Sequence, residues 1–231
     1  MTRSVSSYRF QLPKITEEQV EKVSNDYRKS GGYTIDEKLD RLFESFPSNK
    51  DCDEVKIKVA ALNTIYATSI NYIQPVVDKL VDSIPMDTTN FNYSDFTALV
   101  DEIATATWVS PTTGKTHERC NLSFASKYVH FLSKHEIPIY DSYIWIVMRG
   151  YMGQLSKSKF SYSAPNSYAD FHKLFCEFKT EFSLSQYSNY NIDKYLWQHG
   201  KNLINQMMTE FRIPLPDAKR RLQSEMKERV Y

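Results

Sequence analysis

Glycine is scarce in this sequence, and its cysteines follow no pattern. The chain has six glycines in 231 residues, and neither GxxxxGK[ST] nor GxGxxG occurs, so a glycine-rich cradle for nucleotide phosphates is excluded. GxSxG and HExxH are also missing, which removes the usual supports for serine hydrolysis and zinc proteolysis. Cys52, Cys120 and Cys176 lie far apart with no CxxC pair. That spacing argues against a disulfide framework, a zinc site and a cysteine-ligated iron–sulfur cluster. The three are expected to be reduced, buried small hydrophobes, and no metal or other cofactor is expected. Charge of one sign is lacking as well: 29 lysines and arginines against 28 aspartates and glutamates leave a net charge of +1. Evidence for a polyanionic partner must therefore be local. No apolar run approaches a membrane span, and "MTRSVSSYRFQLPK" has no apolar core of signal-peptide length, so an intracellular, soluble protein with no membrane partner is expected.

What is present is helical periodicity. "TEEQVEKVSNDYRKSGG" opens with Thr16 and Gln19 at capping-box spacing and stops at Gly31-Gly32, and "TIDEKLDRLFESF" repeats the box with Thr34 and Glu37. Val55, Val59, Leu62, Tyr66 and Ile73 keep helical spacing until Pro75 breaks the run or starts the next helix. Further helices are predicted in "SDFTALVDEIATATW", "SFASKYVHFLS", "DSYIWIVMRGYM", "SYADFHKLFCEFKTEF", "NIDKYLWQHGKNLINQMMTEF" and "PDAKRRLQSEMKERV". Strand alternation is nowhere convincing. The fold class read from this pattern is all-α, with joints near 47–52, 85–93, 110–121 and 156–166. Sixteen tyrosines and thirteen phenylalanines at helical spacing read as core before they read as base-stacking surface. His130 and His135, five residues apart, do not share a helix face and read as partly exposed side chains rather than metal ligands.

Two charged residues interrupt this apolar pattern. In "FASKYVHFLSKHEIPIYDSYIW", Lys127 sits in an apolar helix and Asp141 follows a proline-marked extended segment. From Lys115 to His135 the charges are Lys115, Arg119, Lys127 and Lys134 against Glu118 alone, a local positive excess. A helix starting near Ser123 points free N–H groups outward, an arrangement suited to a phosphate. The same residues also fit a solvated basic loop capped by Asn121 or Ser123. From Lys127 the helix rises roughly 9–10 Å, and "KHEIPIY" can span about 20 Å when extended. The chain can therefore return, placing Asp141 at the N-cap of the next helix and facing Lys127 across one cleft. Read structurally, Asp141 is only a cap and Lys127 a snorkelling side chain.

The order of helix, hairpin, lysine, short apolar helix, "IPIYD" and helix resembles the catalytic core of the helix-hairpin-helix DNA glycosylase superfamily. The nearest likeness is to its 8-oxoguanine branch and compact microbial members. "KVAALNTIYATSINYI", "NLSFASKYVHFLSKHEIPIYDSYIW" and "IDKYLWQHGK" carry the likeness. It implies a helical bundle in two closely packed lobes: an N-terminal helical segment over 1–50, a glycosylase-like core over 51–211, and a charged C-terminal helix or tail over 212–231. It further implies a probe-able chemistry, in which Lys127 is the amine nucleophile and Asp141 the essential carboxylate of a glycosylase with AP lyase activity. Ser123 and Ala125 stand where the family has the glycines of G-x-G, and they would meet a phosphate with help from Lys115 and Arg119. Thr68 and Ser69 fall in the DNA-facing loop. The implied partner is double-stranded DNA carrying a flipped damaged or modified base, bound by a monomer in the cytoplasm, or at the nucleoid in a prokaryote. The rival readings are a DNA-binding protein of the same fold without catalysis, and a helical protein-interaction domain.

Overall fold

The computed structural model describes residues 12–155 and 163–227; the opening stretch up to Gln11 and most of the joint at 156–166 lie outside the described residues. Among the described residues ten helices and one two-stranded sheet follow in order. α1 (Glu17–Lys29) starts as its sequence predicts, with the Thr16 side chain accepting from Gln19 N. α2 (Gly32–Ser45) does not use Thr34 as a cap: Gly31 adopts φ 80° and the helix begins at the next residue. A side chain at Gly32 would collide with the Tyr27 ring, so this pair of glycines reverses the chain and lets α2 press on α1.

α3 (Cys52–Ile65) ends one residue before Tyr66, so Tyr66 and Ile73 are not on one helix. Ile73 instead precedes α4 (Gln74–Ser83), where Pro75 occupies the first turn, the position in which its missing N–H is harmless. α5 (Tyr93–Ala104) is shorter than its periodicity suggests. "TATWV" leaves it as strand β1 (Thr105–Val109), which pairs antiparallel with β2 (Thr116–Cys120). This ribbon corrects the all-helical reading of the segment and fills the expected joint at 110–121.

α6 (Leu122–Leu132), α7 (Ser142–Leu155), α8 (Tyr168–Glu181), α9 (Asn189–Phe211) and α10 (Leu215–Lys227) complete the bundle. The central helix is α9, with α1, α7 and α10 packed against it. Gly200 makes the α7–α9 approach possible, since a Cβ there would stand 2.9 Å from the Tyr143 carbonyl oxygen. α10 is a packed helix rather than a tail, with Ala218, Leu222 and Met226 buried at i, i+4 spacing. One apolar cluster runs from Leu12 to Met226, and the expected lobes share it. The three cysteines are exposed, not buried, because they fall at the start of α3, the end of β2 and the outer face of α8.

Candidate functional site

Lys127 lies in the second turn of α6, a helix buried on nearly every side by Phe124, Ala125, Tyr128 and Val129 among others. Its side chain is 2% exposed. Nζ donates to Ser123 Oγ at 2.6 Å and to the Ser123 carbonyl at 3.3 Å, one helical turn back. It stands 3.5 Å from Asp141 Oδ2 and 5.4 Å from the centre of the Tyr66 ring. Burial pushes the amine below its ordinary pKa, against the pull of Asp141 and Asp193.

Asp141 is placed by the extended segment before it, whose backbone is pinned by side chains from three helices. The Ile137 carbonyl accepts from His130 Nδ1 at 2.6 Å, and the Pro138 carbonyl from the Tyr168 hydroxyl. Ile139 N donates to Asp193 Oδ1 at 2.9 Å and Tyr140 N to Ser126 Oγ at 3.0 Å. Asp141 Oδ1 then accepts from Tyr143 N at 2.8 Å, capping α7, while Oδ2 faces Lys127. The aspartate is thus both cap and ion partner, and its side chain is 17% exposed.

His130 is fully buried, correcting the expectation of an exposed ring. A carbonyl can only accept, so Nδ1 carries the proton and Nε2 is left bare and unpartnered. Burial holds the ring uncharged, its pKa well below the usual range. His135 stacks on it at 4.6 Å, and its Nε2 lies 2.8 Å from Asp40 Oδ1. Among the described residues no group of three His, Cys, Asp or Glu could hold a metal ion.

A second charged cluster borders the same space. Asp36, on α2, accepts the hydroxyls of Tyr27, Tyr66 and Tyr190, each at 2.9 Å. Lys194 Nζ lies 3.2 Å from Asp36 and 3.4 Å from Asp193. Burial raises the Asp193 carboxyl to about 6, although Lys194 opposes the rise. The three tyrosines are pushed upward by burial and by the Asp36 charge. Between the clusters opens a cavity of about 170 Å³, lined by Lys127, Asp141, Asp36, Lys194, Trp197 and Lys201 among others.

The other expected site residues sit elsewhere. Ser123 and Ala125 are helical residues of α6, not a turn between helices. Ser123 Oγ is engaged by Lys127, and Ala125 is fully buried with its N–H bonded to the Asn121 carbonyl. Neither needs glycine, because neither has a positive φ. No side chain caps the helix, and its Phe124 and Ala125 N–H groups both bond to the Asn121 carbonyl. Thr68 and Ser69 belong to the loop after the cavity wall formed by Ile65 and Tyr66. Asn63 organises that loop, bonding Ile70 N and O and the Thr68 hydroxyl, so Thr68 points inward while Ser69 is exposed. Lys115 and Arg119 lie on the ribbon and do not line the cavity.

Sequence reasoning missed Asp36, Asp193 and Lys194 as site residues. Asp193-Lys194 could have been found as an adjacent charged pair between Ile192 and Tyr195 in an apolar stretch; Asp36, in "TIDEKLDR", carries no such signal.

Residues 16–136 match the family model HI_0787_N, described as an N-terminal domain. The chain belongs to the HI_0787_N family. The matched span includes Asp36, Tyr66 and Lys127 and stops before Asp141 and Lys194, so the cavity is completed by helices beyond it. No curated protein and no solved structure matches the chain.

Proposed function

We propose that this chain is a DNA glycosylase with AP lyase activity that removes a damaged or modified base, 8-oxoguanine being the first candidate. The observation that carries the reading is a buried amine of lowered pKa with a carboxylate 3.5 Å away, both bordering one cavity. A neutral Lys127 attacks the anomeric carbon, the N-glycosidic bond breaks, and the base leaves with the bonding electrons and takes up a proton. The sugar becomes a Schiff base on Nζ once the ring opens. Asp141 offers negative charge where the sugar turns positive. The target nucleotide must leave the stack to reach the cavity, which costs a few kcal/mol in a duplex and less at a damaged pair.

A structural reading also has an observation in its favour: Lys127 is bonded twice to Ser123, and Asp141 is already a helix cap. Borohydride reduction separates the two. With duplex containing 8-oxoguanine or a natural abasic site, the wild-type chain is expected to yield a covalent protein–DNA band that Lys127→Ala abolishes. No band with any lesion, or an equal band from the folded variant, overturns the assignment.

A further inference from the structure

Among the described residues many aromatic side chains are interior, Tyr128, Tyr168, Phe171, Phe175 and Phe178 being among the most completely buried. A partly exposed ring set lies on and beside the ribbon. Trp108 on β1 stacks on His117 of β2, with centroids 5.4 Å apart and planes 17° apart. Tyr72, 48% exposed, meets Trp108 edge-on at 6.1 Å.

The ribbon's register sorts its charges by face. Directly opposed residues share a face and neighbours alternate. Trp108 opposes His117 and Ala106 opposes Arg119 on one side; Thr107 opposes Glu118 on the other. Ser110 N donates to the Lys115 carbonyl at 2.8 Å, which extends the ladder and puts Lys115 on the side of His117 and Arg119. The ring-bearing face therefore holds the basic residues, and the acid points away. A two-stranded ribbon is marginal by itself; this one packs on α4 through β1 and buries Ala106, while Lys115 and His117 are exposed. The chain links this region to the cavity by two routes. Tyr72 lies near the end of the loop that follows the cavity residue Tyr66, and β2 runs from the ribbon's inner end, at Cys120, directly into α6, which carries Lys127.

We infer that the ribbon and Tyr72 form a second nucleic-acid contact, in which His117 and Tyr72 stack on bases flanking the nucleotide at the cavity and Lys115 meets a backbone phosphate. The inference rests on the glycosylase reading for the identity of the partner. Rings tolerate any base because every base has a π-face, and lysine supplies the charge that a phosphate needs.

The test is anisotropy titration of the full chain against labelled duplex carrying a stable tetrahydrofuran abasic analogue, at several salt concentrations. Tyr72→Ala with His117→Ala is expected to raise Kd roughly fivefold or more for each lost stack, with the salt slope unchanged. Lys115→Gln is expected to lower the slope by about one unit. His117→Ala alone, at an exposed position, keeps the test decisive if the double variant melts early. Wild-type affinity in the folded ring variants overturns the inference while leaving the glycosylase reading standing. Duplex binding without borohydride trapping overturns that reading, and the ring variants still decide the ribbon. No duplex affinity in the wild type overturns both.

Discussion

Lys194 and Lys127 border one cavity, yet Lys194 is held between Asp36 and Asp193 while Lys127 has one carboxylate at 3.5 Å and a serine. The Lys194 cluster is closed. Asp36 receives three tyrosine hydroxyls besides the ammonium, and Asp193 uses one oxygen on Lys194 and the other on Ile139 N. The Lys127 pair is open, because Asp141 keeps partial solvent exposure and Lys127 lacks a second carboxylate in contact. A buried charge with every partner in place has nothing to offer a substrate and much to lose by rearranging. Burial pushes the Lys127 amine below its ordinary pKa, against the pull of its single contacting carboxylate. The two clusters thus differ in how many carboxylates hold the ammonium, two at Lys194 and one at Lys127.

The largest effect is expected at Asp36. Asp36→Ala takes one of two carboxylates from Lys194 and the acceptor from three tyrosine hydroxyls, and breaking such a buried pair costs about 3–5 kcal/mol. For a chain of this size that lowers Tm by roughly 10 °C, measured by calorimetry; a shift within a degree or two would break the contrast.

Asp193 gives the next effect, read as a pH dependence. Its carboxyl rises from about 4 in the unfolded chain to about 6 in the fold, so the native state holds this proton more tightly. Relative to Asp193→Asn, the wild type should therefore lose stability as pH rises from about 4 to about 6, by up to about 3 kcal/mol, and level off above. His130 and His199, whose rings are kept uncharged by burial, act in the opposite sense in both proteins and cancel in the difference. Denaturant titrations at four pH values check this, and a constant difference would contradict it.

Lys127→Met is expected to change stability by less than about 1 kcal/mol, since it removes a desolvated charge and leaves Asp141 able to reach water. The smallest structural effect belongs to Asp141→Asn. Asparagine caps a helix as well as aspartate, so the melting curve should hardly move, while excision falls by about 10²-fold or more for want of the carboxylate charge. Unchanged excision would reduce Asp141 to a cap.

The two clusters were unequally legible in the sequence for a physical reason. Lys127 and Asp141 stand out because each is the lone charge in an apolar run, and the proline-marked segment between them predicts the chain's return. Asp36 is surrounded by exposed charges on its own helix, so its burial is decided by Tyr27, Tyr66 and Tyr190 from three other elements. The ribbon was hidden differently. "ALVDEIATATW" continues a helical period into β1, and "THERC" has no apolar alternation because β2 is almost wholly exposed. Ser123 and Ala125 were placed in a hairpin by resemblance, whereas Asn121 starts α6 directly from β2.

The most direct measurement is peptide mapping of the borohydride-reduced adduct formed with abasic duplex, because three lysines, Lys127, Lys194 and Lys201, border the cavity. The account predicts the added sugar mass on the peptide containing Lys127, with Lys194 unmodified. An adduct on Lys194, or on no residue of the cavity, would contradict it.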